Sequence, residues 1–244
     1  MLFALACGLA AGSARAQLKA GDIAVVAFNT DGGDEFAWVA LRRLPAHTRV
    51  CFTDSSVSNG CFRWTEHLGD TVGTPGPLTW TFTNALPAGT VVTWTSNVVF
   101  EWSVGEQAGG HLNLSYDGDQ IFVYSGAITE CAGDPSVWRG VMDKATMIFG
   151  LNFANGGWNN VSGGSTTTSY VPPGLSTNLG TAVHVDAKDN GYYVGIRTGK
   201  VDKLLQAIAV PANWTTGNDP FTSNQWPTAF TVLPAASGTV FTFH

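Results

Sequence analysis

Charge is scarce in this chain. Of 244 residues only 12% are Asp, Glu, Lys or Arg, with 12 basic against 18 acidic side chains and a formal net charge of -6. That is about half the usual charged share. No Lys/Arg cluster occurs, so the electrostatic footprint that nucleic-acid binding requires is missing. Long apolar runs are lacking too: Leu2 to Ala11 is apolar but too short to span a membrane. Catalytic signatures are likewise absent. There is no G-x-S-x-G elbow and no phosphate-binding loop, and the five histidines have no nucleophile partner at a recognisable spacing. What fills the chain instead is Gly, Thr, Ser, Asn and nine Trp. Such a surface is neutral and hydrogen-bonding, suited to polymer, glycan or subunit contact.

The first residues read as a secretory leader, residues 1–16. Leu2 to Ala11 supplies the apolar core and Ala14-Arg15-Ala16 the small-residue cleavage site, although no Lys or Arg precedes the core. A secreted protein beginning at Gln17 is expected, extracellular or at a cell surface. Removal of Cys7 with the leader leaves Cys51, Cys61 and Cys131. Secretion permits disulfides. The ten-residue spacing around a Ser/Asn/Gly turn predicts a local Cys51–Cys61 bridge, with Cys131 either unpaired or the true partner of one of the two.

The chain is organised around Gly21 to Asp54. Ile23 to Phe28 and Phe36 to Leu41 are apolar strand patterns, and Arg49 to Thr53 alternates with period 2. Thr79 to Thr83, Val91 to Thr95 and Asp119 to Tyr124 continue the series. From Ala127 the signals weaken, though Met147 to Phe153 and Thr181 to Val185 still read as strands. Asp189-Asn190-Gly191 reads as a hairpin turn into Tyr192 to Ile196, because Asn-Gly favours the primed turns of hairpins. Lys200 to Val210 predicts a helix with Val201, Leu204, Leu205 and Ile208 on one face and Pro211 as its stop. The expected fold is all-β, an Ig-like or jelly-roll β-sandwich with one short helix near the C-terminal end. One domain over 17–244 is expected, or two tightly packed halves, 17–126 and 127–244. An internal echo joins Leu44-Pro-Ala-His-Thr to Leu86-Pro-Ala-Gly-Thr, read here as two sandwich corners with the same turn chemistry.

Several of these motifs carry a likeness. Ile23 to Phe28, Phe36-Ala-Trp-Val-Ala-Leu41, Phe52-Thr-Asp54, Leu86-Pro-Ala-Gly-Thr90 and Gly118-Asp-Gln-Ile-Phe-Val-Tyr124 make the first half resemble a lamin-tail-like domain, with Ala40 where that family has glutamate. The opening GD-x-A pattern, the Asp189-Asn-Gly191 turn and Pro211-Ala-Asn-Trp214 make residues 20 to 232 similar to a family of secreted bacterial β-sandwich proteins. The resemblance implies an Ig-like sandwich with an extracellular or surface life, and it carries no established activity with it.

Three sets of residues are candidates for function. Asn29, Asp31, Asp34 and Glu35 crowd oxygen ligands into one turn, and Asp54 joins them if its strand end lies alongside. Calcium takes six to eight such oxygens, so calcium is the expected ion. Trp158, Trp214 and Trp226 fall in polar loops, from which aromatics can stack on sugars or anchor a partner. Glu101 and Glu106 have the spacing of a glycosidase pair, but positions five apart on a regular strand face opposite sides. The expected function is therefore a non-catalytic extracellular structural or adhesion module. It would pack on copies of itself as a homo-oligomer, or on a surface polymer or glycan. The Gly238 to His244 segment supports this reading as an apolar strand that could extend a neighbour's sheet. A carbohydrate-binding module using the loop tryptophans is the second expectation, and a glycosidase the third.

Overall fold

The computed structural model describes residues 17–58, 60–63, 77–96, 101–130, 138–158 and 168–235. The predicted leader, Cys131 and the apolar segment 238–244 lie outside the described residues. In chain order the strands are β1 (Ile23–Asn29), β2 (Glu35–Ala40), β3 (Thr48–Thr53), β4 (Val57–Ser58), β5 (Cys61–Arg63), β6 (Leu78–Phe82), β7 (Val91–Thr95) and β8 (Glu101–Trp102). They continue with β9 (Glu106–Gly109), β10 (Gln120–Glu130), β11 (Trp138–Asn152), β12 (Ala182–His184), β13 (Asn190–Tyr193), β14 (Thr198–Gly199), β15 (Trp214–Gly217) and β16 (Thr231–Val232). The helix α1 (Val201–Ile208) lies between β14 and β15.

The protein is an all-β sandwich with this one short helix near its C-terminal end, as expected. The first sheet has the order β15-β13-β1-β2-β7-β8. The second runs β4-β5-β11-β10-β3-β6-β9, with β12 added to β11 in parallel. Every residue of β1 is buried, and in β2 only Glu35 is partly exposed. Strands covered on both faces have no wet side, which is why these two read as continuous apolar runs. β7 alternates buried and half-buried positions, the mark of one covered face.

Aromatic side chains fill the space between the sheets. Phe28 stacks on Phe153 with ring centres 4.1 Å apart, Phe36 meets Phe52 at 5.0 Å, and Trp38 meets Trp80 edge-on at 5.0 Å. Each such pair contributes about 0.5–1.5 kcal/mol beyond its area burial. The helix presents Leu204, Leu205 and Ile208 to the same core. They are spaced as an amphipathic stripe.

The two Leu-Pro-Ala corners abut. Leu44 N–H donates to the Leu86 carbonyl at 2.9 Å, and Leu86 N–H donates back to Leu44 at 3.0 Å. Both leucines are buried. One corner launches β3 in the second sheet and the other launches β7 in the first, so the echo in sequence is a staple between the sheets.

Three expectations need correction. The Asn190-Gly191 pair is not a hairpin turn. It opens β13, which pairs with β1 and β15 in the first sheet, whereas the preceding β12 belongs to the second. Gly191 is needed because a Cβ there would strike the ring of Phe28, at 2.8 Å. Next, β10 and β11 run far past the point where apolar signals fade, pairing from Gln120↔Asn152 out to Glu130↔Gly140. Lastly, Cys51 and Cys61 are not bridged. Cys51 is a buried free thiol, 3.8 Å from the Thr79 hydroxyl. Its strand β3 is separated from β5 by β10 and β11. Three strand spacings amount to about 14 Å, far beyond the reach of a disulfide. Cys61 is disulfide-bonded, with its partner outside the described residues.

Candidate functional site

The acidic turn joins β1 to β2, and its side chains are engaged by the protein itself. The Asn29 amide donates to Glu35 Oε2 at 3.2 Å and to the Phe221 carbonyl at 2.7 Å, and Asn29 Oδ1 accepts from Phe221 N–H at 3.3 Å. Glu35 Oε1 accepts from the Thr95 hydroxyl at 2.9 Å. Asp31 Oδ2 accepts from the Asn190 amide at 2.7 Å, and Asn190 Oδ1 accepts from Thr30 N–H at 3.0 Å. Asp34 N–H donates to the Ser96 hydroxyl at 2.8 Å. The turn is thereby tied to β7, to β13 and to the Phe221 segment.

Asp54 is not part of this group. It follows β3 in the second sheet, where its carboxylate accepts from Asn113 N–H at 2.9 Å and its carbonyl accepts from the Gln120 amide. Asp119 neighbours it, with its two carboxylate oxygens accepting from Ser115 N–H at 2.9 Å and Gln120 N–H at 2.8 Å. The carboxylates that do meet are Asp31 and Asp117, each beside Asp189, which sequence spacing did not reveal. Burial, reinforced by the negative charges of Asp31 and Asp117, raises the Asp189 carboxyl above its ordinary range. Among the described residues, no group of three or more His, Cys, Asp or Glu side chains is placed to hold a metal ion.

The loop tryptophans turn inward. Trp214 is buried, its indole N–H donating to the Ile208 carbonyl at 2.8 Å and its ring 5.9 Å from that of Tyr193. Trp226 is buried as well. Trp158 is half-buried, with its ring 5.8 Å from Phe122. A large aromatic surface is better placed against other rings than in water when the core has room for it. Glu101 and Glu106 also part company: Glu101 lies on β8 in the first sheet, Glu106 on β9 in the second, and both are exposed. The Cys51 thiol is pushed up by burial, so it stays protonated and unreactive.

A cleft of about 670 Å³ lies beside α1, and sequence reasoning missed it. Leu205 and Val232 are among its apolar walls, and Lys19, Arg42, Arg43 and Lys200 are its cations. These come from the lead into β1, the exit of β2 and the start of α1, so no single stretch of sequence announces the site. Its one local signal is the adjacent pair Arg42-Arg43. Arg42 is held by Asp22, Nε to Oδ1 at 2.9 Å. Asp22 also accepts from Lys19 N–H at 3.0 Å, which fixes the approach of the chain to β1.

No family model matches this chain, and neither does any curated protein or solved structure. The assignment of function rests on the geometry.

Proposed function

We propose that this protein is a non-catalytic structural or adhesion module of the extracellular space or cell surface, working as a homo-oligomer through strand-edge pairing. The observation that carries the reading is the arm formed by β10 and β11. β3 pairs with β10 only from Phe122 to Tyr124. Beyond that point, among the described residues, β10 continues from Ser125 to Glu130 with β11 on one side and no strand on the other. Gly126 and Ala127 there are exposed. Ser125-Gly-Ala-Ile-Thr129 holds no Lys, Pro or other charge of the kind that blocks edge-to-edge pairing. Sparse surface charge favours the same association. The tryptophans suggested for glycan binding are folded inward, so the carbohydrate reading has no geometric support, and calcium has no part in the proposal.

The test is light scattering with size-exclusion chromatography, and negative-stain microscopy, on the chain from Gln17. Concentration-dependent oligomers are expected from the wild type. Ala127→Lys, which places a charge on the open edge, is expected to yield monomer with an unchanged melting temperature. A wild type that stays monomeric at every concentration, or oligomers indifferent to Ala127→Lys, rejects the reading.

A further inference from the structure

We propose that the cleft beside α1 binds a small amphiphilic anion, a carboxylate or phosphate head on an aliphatic body. The inference stands apart from strand-edge association and does not depend on it.

Size comes first. At about 670 Å³ the cleft falls within the range of small-molecule sites. Its character is mixed in a way that selects a ligand. Leu205 and Val232 form apolar walls, and Leu179 and Leu233 continue them outward. Leu179 is 67% exposed and Leu233 44% exposed. They are two of only six large apolar side chains so exposed among the described residues, and both border this one cleft. An aliphatic body seated between them would take their surface out of water.

Charge sets the sign of the head. Four of the chain's 12 basic residues line the cleft, in a protein whose net charge is -6. Among the described residues that line it, Asp202 is the only acidic one. Asp22 occupies one face of Arg42. Among the described residues, no ion pair engages Lys19, Arg43 or Lys200. A guanidinium group such as that of Arg43 matches the geometry of a carboxylate or phosphate. The start of α1 contributes in the same sense. Lys200 and Val201 line the cleft, and no side chain caps that end of the helix. Its partial positive charge therefore faces no competing acceptor from a cap.

The test is calorimetric titration of the full chain with four probes below their micelle concentrations. They are dodecanoate, dodecyl phosphate, dodecyltrimethylammonium and dodecyl maltoside. Both anions are expected to bind saturably and to weaken with added salt. The cation is expected not to bind, and the neutral probe to bind at least about tenfold more weakly. The tighter of the two anions identifies the head, carboxylate or phosphate. Arg43→Ala and Lys200→Ala are each expected to weaken the anions by about 5–10-fold. Leu233→Ser is expected to weaken both anions and the neutral probe, and its exposure keeps it from disturbing the fold, which the melting temperature checks. Equal binding of the cationic or neutral probe, anion binding unchanged in an Arg43→Ala/Lys200→Ala double variant, or no saturable binding of either anion overturns the proposal.

Discussion

One hairpin joins the two charged regions of this protein. β1 and β2 meet at the turn that carries Asp31, Asp34 and Glu35, and their other ends are flanked by Lys19, Arg42 and Arg43. The seven residues of β1 set the two regions about 23 Å apart. At the acidic end, side-chain oxygens of Asn29, Asp31 and Glu35 accept bonds from Phe221, Asn190 and Thr95, and little is left for a partner. At the basic end, Arg42 has Asp22 while Arg43 and Lys200 stand around an apolar cleft. The same scarce resource, charge, holds the fold together in one place and remains available in the other. Hydrogen bonding, not charge density, separates them.

The sharpest test of that contrast is Asn190→Ala. It removes a buried amide that holds the Asp31 carboxylate and takes away the nearer of the two acceptors of the Thr30 N–H, leaving the Asp189 carbonyl at 3.2 Å. Denaturant unfolding is expected to show a loss of about 2–4 kcal/mol. At the basic end Arg43→Ala is expected to change stability by less than about 0.5 kcal/mol, since the side chain is exposed and no ion pair engages it among the described residues. Comparable losses for the two variants would break the comparison.

The smallest effect concerns pH. Asp189 is raised by burial and by Asp31 and Asp117, so the folded state takes up its proton more readily than the unfolded state does. Its ionised form therefore opposes folding. That opposition is present above the folded pKa and disappears as pH falls through it towards the ordinary carboxylate range. Asp189→Asn is expected to be slightly more stable than wild type at pH 7, with the difference shrinking to nothing in acid. The effect is small because the side chain is only half-buried and solvent screens its neighbours. A difference that grows on acidification would contradict the assignment of these neighbours.

Where one face or both faces of an element are buried, the chain shows it. β1, β2, β3, β7 and α1 were legible because burial imposes a run or a period on residues such as Val25, Trp38, Val92 and Leu204. The outer part of the β10–β11 arm was not. Gly126 and Ala127 are exposed and Lys144 opposite is exposed too, so no apolar period marks those strands. Asn190-Gly191 misled because one dipeptide serves two purposes. A small residue and a side-chain amide make a tight turn, and they also let a buried strand pass against Phe28 while knitting a neighbouring turn. Cys51 and Cys61 misled because nearness in sequence is not nearness across a sheet.

By itself the sequence determined the all-β sandwich, the two Leu-Pro-Ala corners and the helix, all of which follow from local pattern and turn chemistry. Tertiary structure alone decided which carboxylates meet, which tryptophans are hidden, which cysteines are too far apart, and that Lys19, Arg42, Arg43 and Lys200 surround one cleft. Strand order and register place these residues, and both are set by pairings between segments distant along the chain, which no short window of sequence contains.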